Sequence, residues 1–78
     1  MIFNDDNQIL HISITPTGVQ IVIGIPINLP RRSYQKGNPM WDFLLTLANK
    51  RFVNIPEIRG KSLVSVDVQG KQSQFSWK

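Results

Sequence analysis

The densest run of residues able to do chemistry is Arg31-Arg32-Ser33-Tyr34-Gln35-Lys36-Gly37-Asn38, three cations and one phenol directly ahead of Pro39. That chemistry is non-covalent. A guanidinium forks onto two phosphate oxygens, a lysine adds a point charge, and an aromatic ring stacks on a base. Arg59-Gly60-Lys61 supplies two further cations, which join the first group in one patch if both segments lie at the same end of the fold. The candidate contacts for an anion or a nucleic acid are therefore Arg31, Arg32, Tyr34, Lys36, Arg59 and Lys61.

The remaining reactive side chains form no constellation. His11 is the only histidine, and its neighbours Ser13 and Gln20 do not activate an imidazole. Asp5 and Asp6 lie between asparagines, but a calcium loop spreads its ligands over about twelve residues with an internal glycine and a closing glutamate. Asp42, Glu57 and Asp67 fall on three different elements, so spacing pairs no two of them for acid–base work. The chain has no Cys, which removes a disulfide framework, a thiolate zinc site and a cysteine nucleophile. Gly18, Gly24, Gly37, Gly60 and Gly70 are too far apart for a phosphate loop or a dinucleotide fingerprint. No catalytic, cofactor or metal residue is assigned, and the expectation is a protein that is not an enzyme.

Charge sharpens the picture. Nine Lys and Arg against five Asp and Glu give a formal +4, yet only 18% of the residues are charged, so scarce acids contribute as much as abundant bases. Residues 1–30 contain Asp5, Asp6 and no base, whereas residues 31–78 hold all nine bases against Asp42, Glu57 and Asp67, a net +6. A field this uneven steers encounter with an anionic partner.

The elements that must position these residues follow from periodicity. Seventy-eight residues make one domain, 1–78. Leu10, Ile12 and Ile14 alternate with His11, Ser13 and Thr15, the two-residue period of a half-buried strand. Pro16-Thr17-Gly18 supplies a turn, with glycine free to take positive φ, and Val19, Ile21, Ile23, Ile25 and Ile27 continue as a second strand. Pro26 cannot donate to a ladder, so this strand either lies at an edge or leaves the sheet near Gly24. Residues 29–37 read as a loop. Asn38-Pro39 reads as an N-cap followed by a first helical position, and Trp41, Leu44, Leu45, Ala48 and Phe52 recur at helical spacing. After a second loop through Pro56, Val64, Val66 and Val68 alternate with polar residues. A Gly70-Lys71 turn then sets Gln69 opposite Gln72, Val66 opposite Phe75 and Val64 opposite Trp77.

The predicted fold class is α+β: a small single domain, β-β-α-β-β, an antiparallel sheet with one helix packed on one face. The aromatics Trp41, Phe75 and Trp77 point to the core. The opposite face carries His11, Ser13, Thr15, Gln20, Ser65, Asp67, Gln69, Gln72, Gln74 and Ser76, which offers no platform for stacking bases.

The longest nearly apolar run, Val19 to Pro30, is interrupted by polar residues and is far short of the roughly 20 residues of a membrane helix, so no membrane partner is expected. The first residues show no basic leader, and a cytoplasmic location is expected. Two functions fit this reading. One is a small module that binds nucleic acid through phosphate contacts of the basic loop. The other is a protein–protein interaction module (an accessory subunit, adaptor or inhibitor) that meets a protein partner, or a second copy in a homo-oligomer, through the polar sheet face or an edge strand.

Overall fold

A computed structural model describes residues 9–24 and 32–78. Five strands, β1 (Ile9–Thr15), β2 (Gly18–Ile23), β3 (Ser33–Gln35), β4 (Leu63–Gln69) and β5 (Gln72–Trp77), form one sheet in the order β1-β2-β5-β4-β3, every neighbouring pair antiparallel. One helix, α1 (Trp41–Arg51), packs on one face, and a 3₁₀ turn (Pro56–Ile58) leads from it to β4. The fold class is α+β, as the periodicity predicts.

The register explains why this chain makes this sheet. Three cross-strand rows face the helix: Ile14-Val19-Trp77-Leu63, Ile12-Ile21-Phe75-Val66-Tyr34 and Ile9-Ile23-Ser73-Val68. Two rows face away: Ser13-Gln20-Ser76-Ser65-Gln35 and His11-Val22-Gln74-Asp67-Ser33. Apart from Ser73 on the helix side and Val22 on the outer side, apolar and polar residues are thus sorted to opposite faces across all five strands, and any slip by one residue would invert the sorting. The centre of the core is aromatic. Phe52 meets Phe75 and Trp77 edge-on with ring centroids 5.3 Å and 5.4 Å apart, and Trp41, Leu44 and Ala48 from α1 complete it.

Four local features differ from the expectation. First, the segment read as a loop contains β3. Tyr34 sits opposite Val66 and is buried in the core, because one large apolar residue between Ser33 and Gln35 is enough to seal the sheet next to β4. Second, each of two strands carries a bulge, between Ile9 and His11 and between Leu63 and Ser65. The extra residue at Val64 sets Leu63, not Val64, opposite Trp77, so Leu63 is buried and Val64 only half-buried. Third, Gly18 does not have positive φ; it opens β2, where a Cβ would run into the backbone carbonyl of Trp77. The turn is instead held by Thr15, whose hydroxyl accepts the Gly18 N–H at 3.1 Å. Fourth, Asn38 caps from a turn ahead of the helix: its Oδ1 accepts the Met40 N–H at 2.8 Å, its carbonyl accepts the Trp41 N–H at 2.9 Å, and α1 begins at Trp41.

The turn at Gly70, which takes φ +60°, brings Gln69 opposite Gln72 and Val66 opposite Phe75 as the alternation predicts. β2 pairs on both sides and ends at Ile23, so it is not an edge strand. Ile25, Pro26 and Ile27 lie outside the described residues. No helix of the described residues is long and apolar enough to cross a membrane.

Candidate anion-binding groove

β3 is the strand that distributes the cations. Arg32 precedes it and Lys36 follows it. Because β3 runs antiparallel to β4, Arg32 lies at the Val68 end, where its carbonyl accepts the Val68 N–H at 2.7 Å, and Lys36 lies toward the Leu63 end. Four residue steps at about 3.3 Å each separate the two by roughly 13 Å along the strand. The basic run is therefore split. Exposed Arg32 borders a separate groove of about 410 Å³ with Asp67, Gln69 and Gly70, and Arg31 lies outside the described residues.

Lys36 has other company. It lines a groove of about 310 Å³ with Lys61, Trp41, Leu45, Asn49 and Trp77. A second groove of about 290 Å³ shares Asn49, Lys61 and Trp77 with the first and adds Arg59, Val53, Ile55 and Ile58. The two grooves adjoin through Asn49, Lys61 and Trp77, a trough in two parts between α1, the 3₁₀ turn and the start of β4. Its lining mixes Trp41, Leu45, Ile55, Ile58 and Trp77 with the polar Asn49, and Lys36, Lys61 and Arg59, all exposed, supply the charge.

Local structure explains how these three reach this trough. Lys36 and Gly37 occupy the centre of a turn in which the Gln35 carbonyl accepts the Asn38 N–H at 3.0 Å, and Gly37 supplies φ +104°. On the other side, the Arg59 N–H donates to the Pro56 carbonyl at 3.1 Å and the Lys61 N–H to the Ile58 carbonyl at 3.0 Å, with Gly60 at φ +78° between them. Ser62 and Lys78 exchange a reciprocal pair of backbone hydrogen bonds at 3.0 and 3.1 Å, fixing this corner to the end of β5. Backbone hydrogen bonds therefore position the cations, while the exposed side chains can reorient toward a ligand.

Chemically the trough offers charge on its rim and little aromatic face. Trp41 is 7% and Trp77 4% exposed, so both present edges rather than stacking platforms. Tyr34, which the sequence offers as a stacking ring, is 1% exposed, and this removes it from any ligand contact. What remains suits phosphate or carboxylate groups held by Lys36, Lys61 and Arg59. Of the six sequence-derived residues, the structure brings together Lys36, Arg59 and Lys61, sets Arg32 apart and buries Tyr34. The lining residues Asn49, Ile55 and Ile58 are not evident in the sequence; the one available signal is that Ile55 and Ile58 flank a proline beside the basic Arg59-Gly60-Lys61.

The other surfaces are plainer. The outer sheet face is polar and carries one acid, Asp67, and one histidine, His11, in the same cross-strand row. Three strand spacings, about 14 Å, lie between them, too far for a hydrogen bond. Among the described residues no three His, Cys, Asp or Glu side chains cluster as a metal site would require. No protein-family model, curated protein or solved structure matches this chain.

Proposed function

We propose that the protein is a non-enzymatic binding module that holds a nucleic-acid backbone through phosphate contacts along the trough, without base-specific readout. The observation that supports this most directly is that Lys36 and Arg59, from two separate loops, line two adjoining grooves that share Lys61. A scarcity of acids in residues 31–78 leaves their field largely uncompensated. The buried state of Tyr34, Trp41 and Trp77 argues for backbone contact over base stacking. A cytoplasmic setting belongs to the same proposal and suits a Cys-free chain.

The test is a titration against fluorescent single- and double-stranded oligonucleotides at several salt concentrations. Binding is expected to weaken steeply with salt. The triple substitution Lys36→Ala, Arg59→Ala, Lys61→Ala should lower the slope of log K against log salt by about 2–3, close to one for each phosphate that is no longer neutralised. Arg32→Ala, at the far end of β3, should change it less. Absence of binding at low salt, or a triple variant that binds like the parent, would overturn the proposal.

A second reading has its own support. β1 is an edge strand whose helix-facing isoleucines are uncovered, Ile9 at 38%, Ile12 at 37% and Ile14 at 60% exposure. An uncharged edge that no other described strand pairs, with apolar side chains, suits a partner strand.

A further inference from the structure

Resting on that second reading, we infer that the strand added at the β1 edge comes from a second copy of this chain, forming a symmetric dimer with one continuous sheet.

β1 lacks most of the devices that keep an edge strand from pairing. From Ile9 to Thr15 there is no Lys, Arg, Asp, Glu or Pro, and the single bulge lies between Ile9 and His11, leaving His11–Thr15 regular. The opposite edge is different. β3 is only three residues long and is flanked by Arg32 and Lys36, so it is poorly suited to pairing with β1 of another molecule.

The choice of a second copy rests on charge and on self-complementarity. Residues 9–24 contain no Asp, Glu, Lys or Arg, so β1 gives a charged partner nothing to recognise. β1 and β3 lie at opposite sides of the sheet, about 19 Å apart at four strand spacings. Two copies joined at β1 therefore keep their β3-flanking cations far apart, which docking through the β3 edge would not.

The strand also matches itself. In an antiparallel pairing centred on Ser13, Ser13 faces Ser13 of the second copy, Ile12 faces its Ile14, and His11 faces its Thr15. The uncovered isoleucines of both copies then meet on the helix side of the joined sheet, and the polar residues meet on the outer side. No apolar residue is set against a polar one and no charge repulsion arises at the seam. Such an isologous contact uses the same edge of both molecules and closes at two copies.

The experiment is sedimentation or light scattering of the full chain over a dilution series, in parallel with Ile14→Lys and Ser13→Cys. The parent is expected at twice the monomer mass. Ile14→Lys sets a lysine beside the seam of each copy at a position already 60% exposed; it should run as a monomer, with its circular dichroism showing that the fold is kept. Ser13→Cys introduces the only thiol of the chain. An antiparallel pair sets its Cα atoms about 4.5–5.5 Å apart, a span a disulfide accepts, so mild oxidation should link the dimer covalently.

A dimer that persists in Ile14→Lys and is not crosslinked by oxidation of the Ser13→Cys variant would overturn the β1 seam. A parent that is monomeric throughout would overturn self-pairing. In that case, a foreign protein retained by the parent and released by Ile14→Lys would preserve the edge-strand reading, and retention of none would remove that reading as well.

Discussion

At the scale of single residues, Ser73 carries a cost that the fold tolerates. It lies on the helix side of β5 between Ile23 and Val68, is 1% exposed, and its hydroxyl has no hydrogen-bond partner among the described residues. A buried hydroxyl without a partner forfeits its hydration with nothing in return, about 1–3 kcal/mol. Ser73→Ala removes the hydroxyl and leaves the backbone unchanged, so it is expected to raise stability by about 1 kcal/mol. The measurement is the denaturant midpoint, which should rise at constant m-value; a lower midpoint would show that the hydroxyl is satisfied. Serine at this position also shows what alternation conveys and what it leaves out. The two-residue period places residue 73 on the core side correctly, but nothing in the sequence reveals that the neighbours Ile23 and Val68 offer it only hydrocarbon.

At the scale of elements, long periodic segments are legible in the sequence and short or irregular ones are not. The alternation through Val19–Ile23 and Gln72–Trp77 and the helical spacing of Trp41, Leu44, Ala48 and Phe52 reflect faces that are buried along their whole length. β3 has three residues and one apolar side chain, too short to show any period, and its cationic flanks give it the look of a loop. The bulges hide for a related reason. An inserted residue at Val64 leaves the valine series intact in the sequence while exchanging Val64 for Leu63 opposite Trp77. In β1 the alternation identifies the face on which Ile12 and Ile14 lie but not that they stay exposed there. Tyr34 tests whether β3 is held by its place in the core. Tyr34→Ala empties a fully buried ring site and is expected to cost about 3–5 kcal/mol. Amide exchange at the β3–β4 pairing should accelerate at least as much as elsewhere. A change below about 1 kcal/mol would mean that the edge is anchored by its backbone alone.

At the scale of the whole molecule, formal charge is kept away from β1. The described cations lie outside residues 9–24, while the exposed isoleucines occupy β1. The net +6 of residues 31–78 is legible in the sequence, but which cations meet depends on the direction of β3 relative to β4, which composition does not encode. An uncharged β1 and a cationic trough predict two different salt responses in one small protein. Oligonucleotide binding at the trough should weaken steeply between low and moderate salt, whereas self-association at the uncharged β1 should persist. Parallel titration and sedimentation in the same buffers would show the contrast, and equal salt sensitivity of both would mean that one charged surface serves both contacts. The central place of β5 has a bearing on how the chain acquires its shape. β2, made early, pairs with β5, and the Val19–Trp77 and Ile21–Phe75 pairs join residues far apart in the chain. During synthesis the first hairpin therefore emerges with one side of β2 unpaired, and the sheet is completed only after Trp77 has left the ribosome. Folding that waits on such distant contacts is slow for a domain of this size and leaves the hydrogen-bonding edge of β2 open until the closing strand arrives.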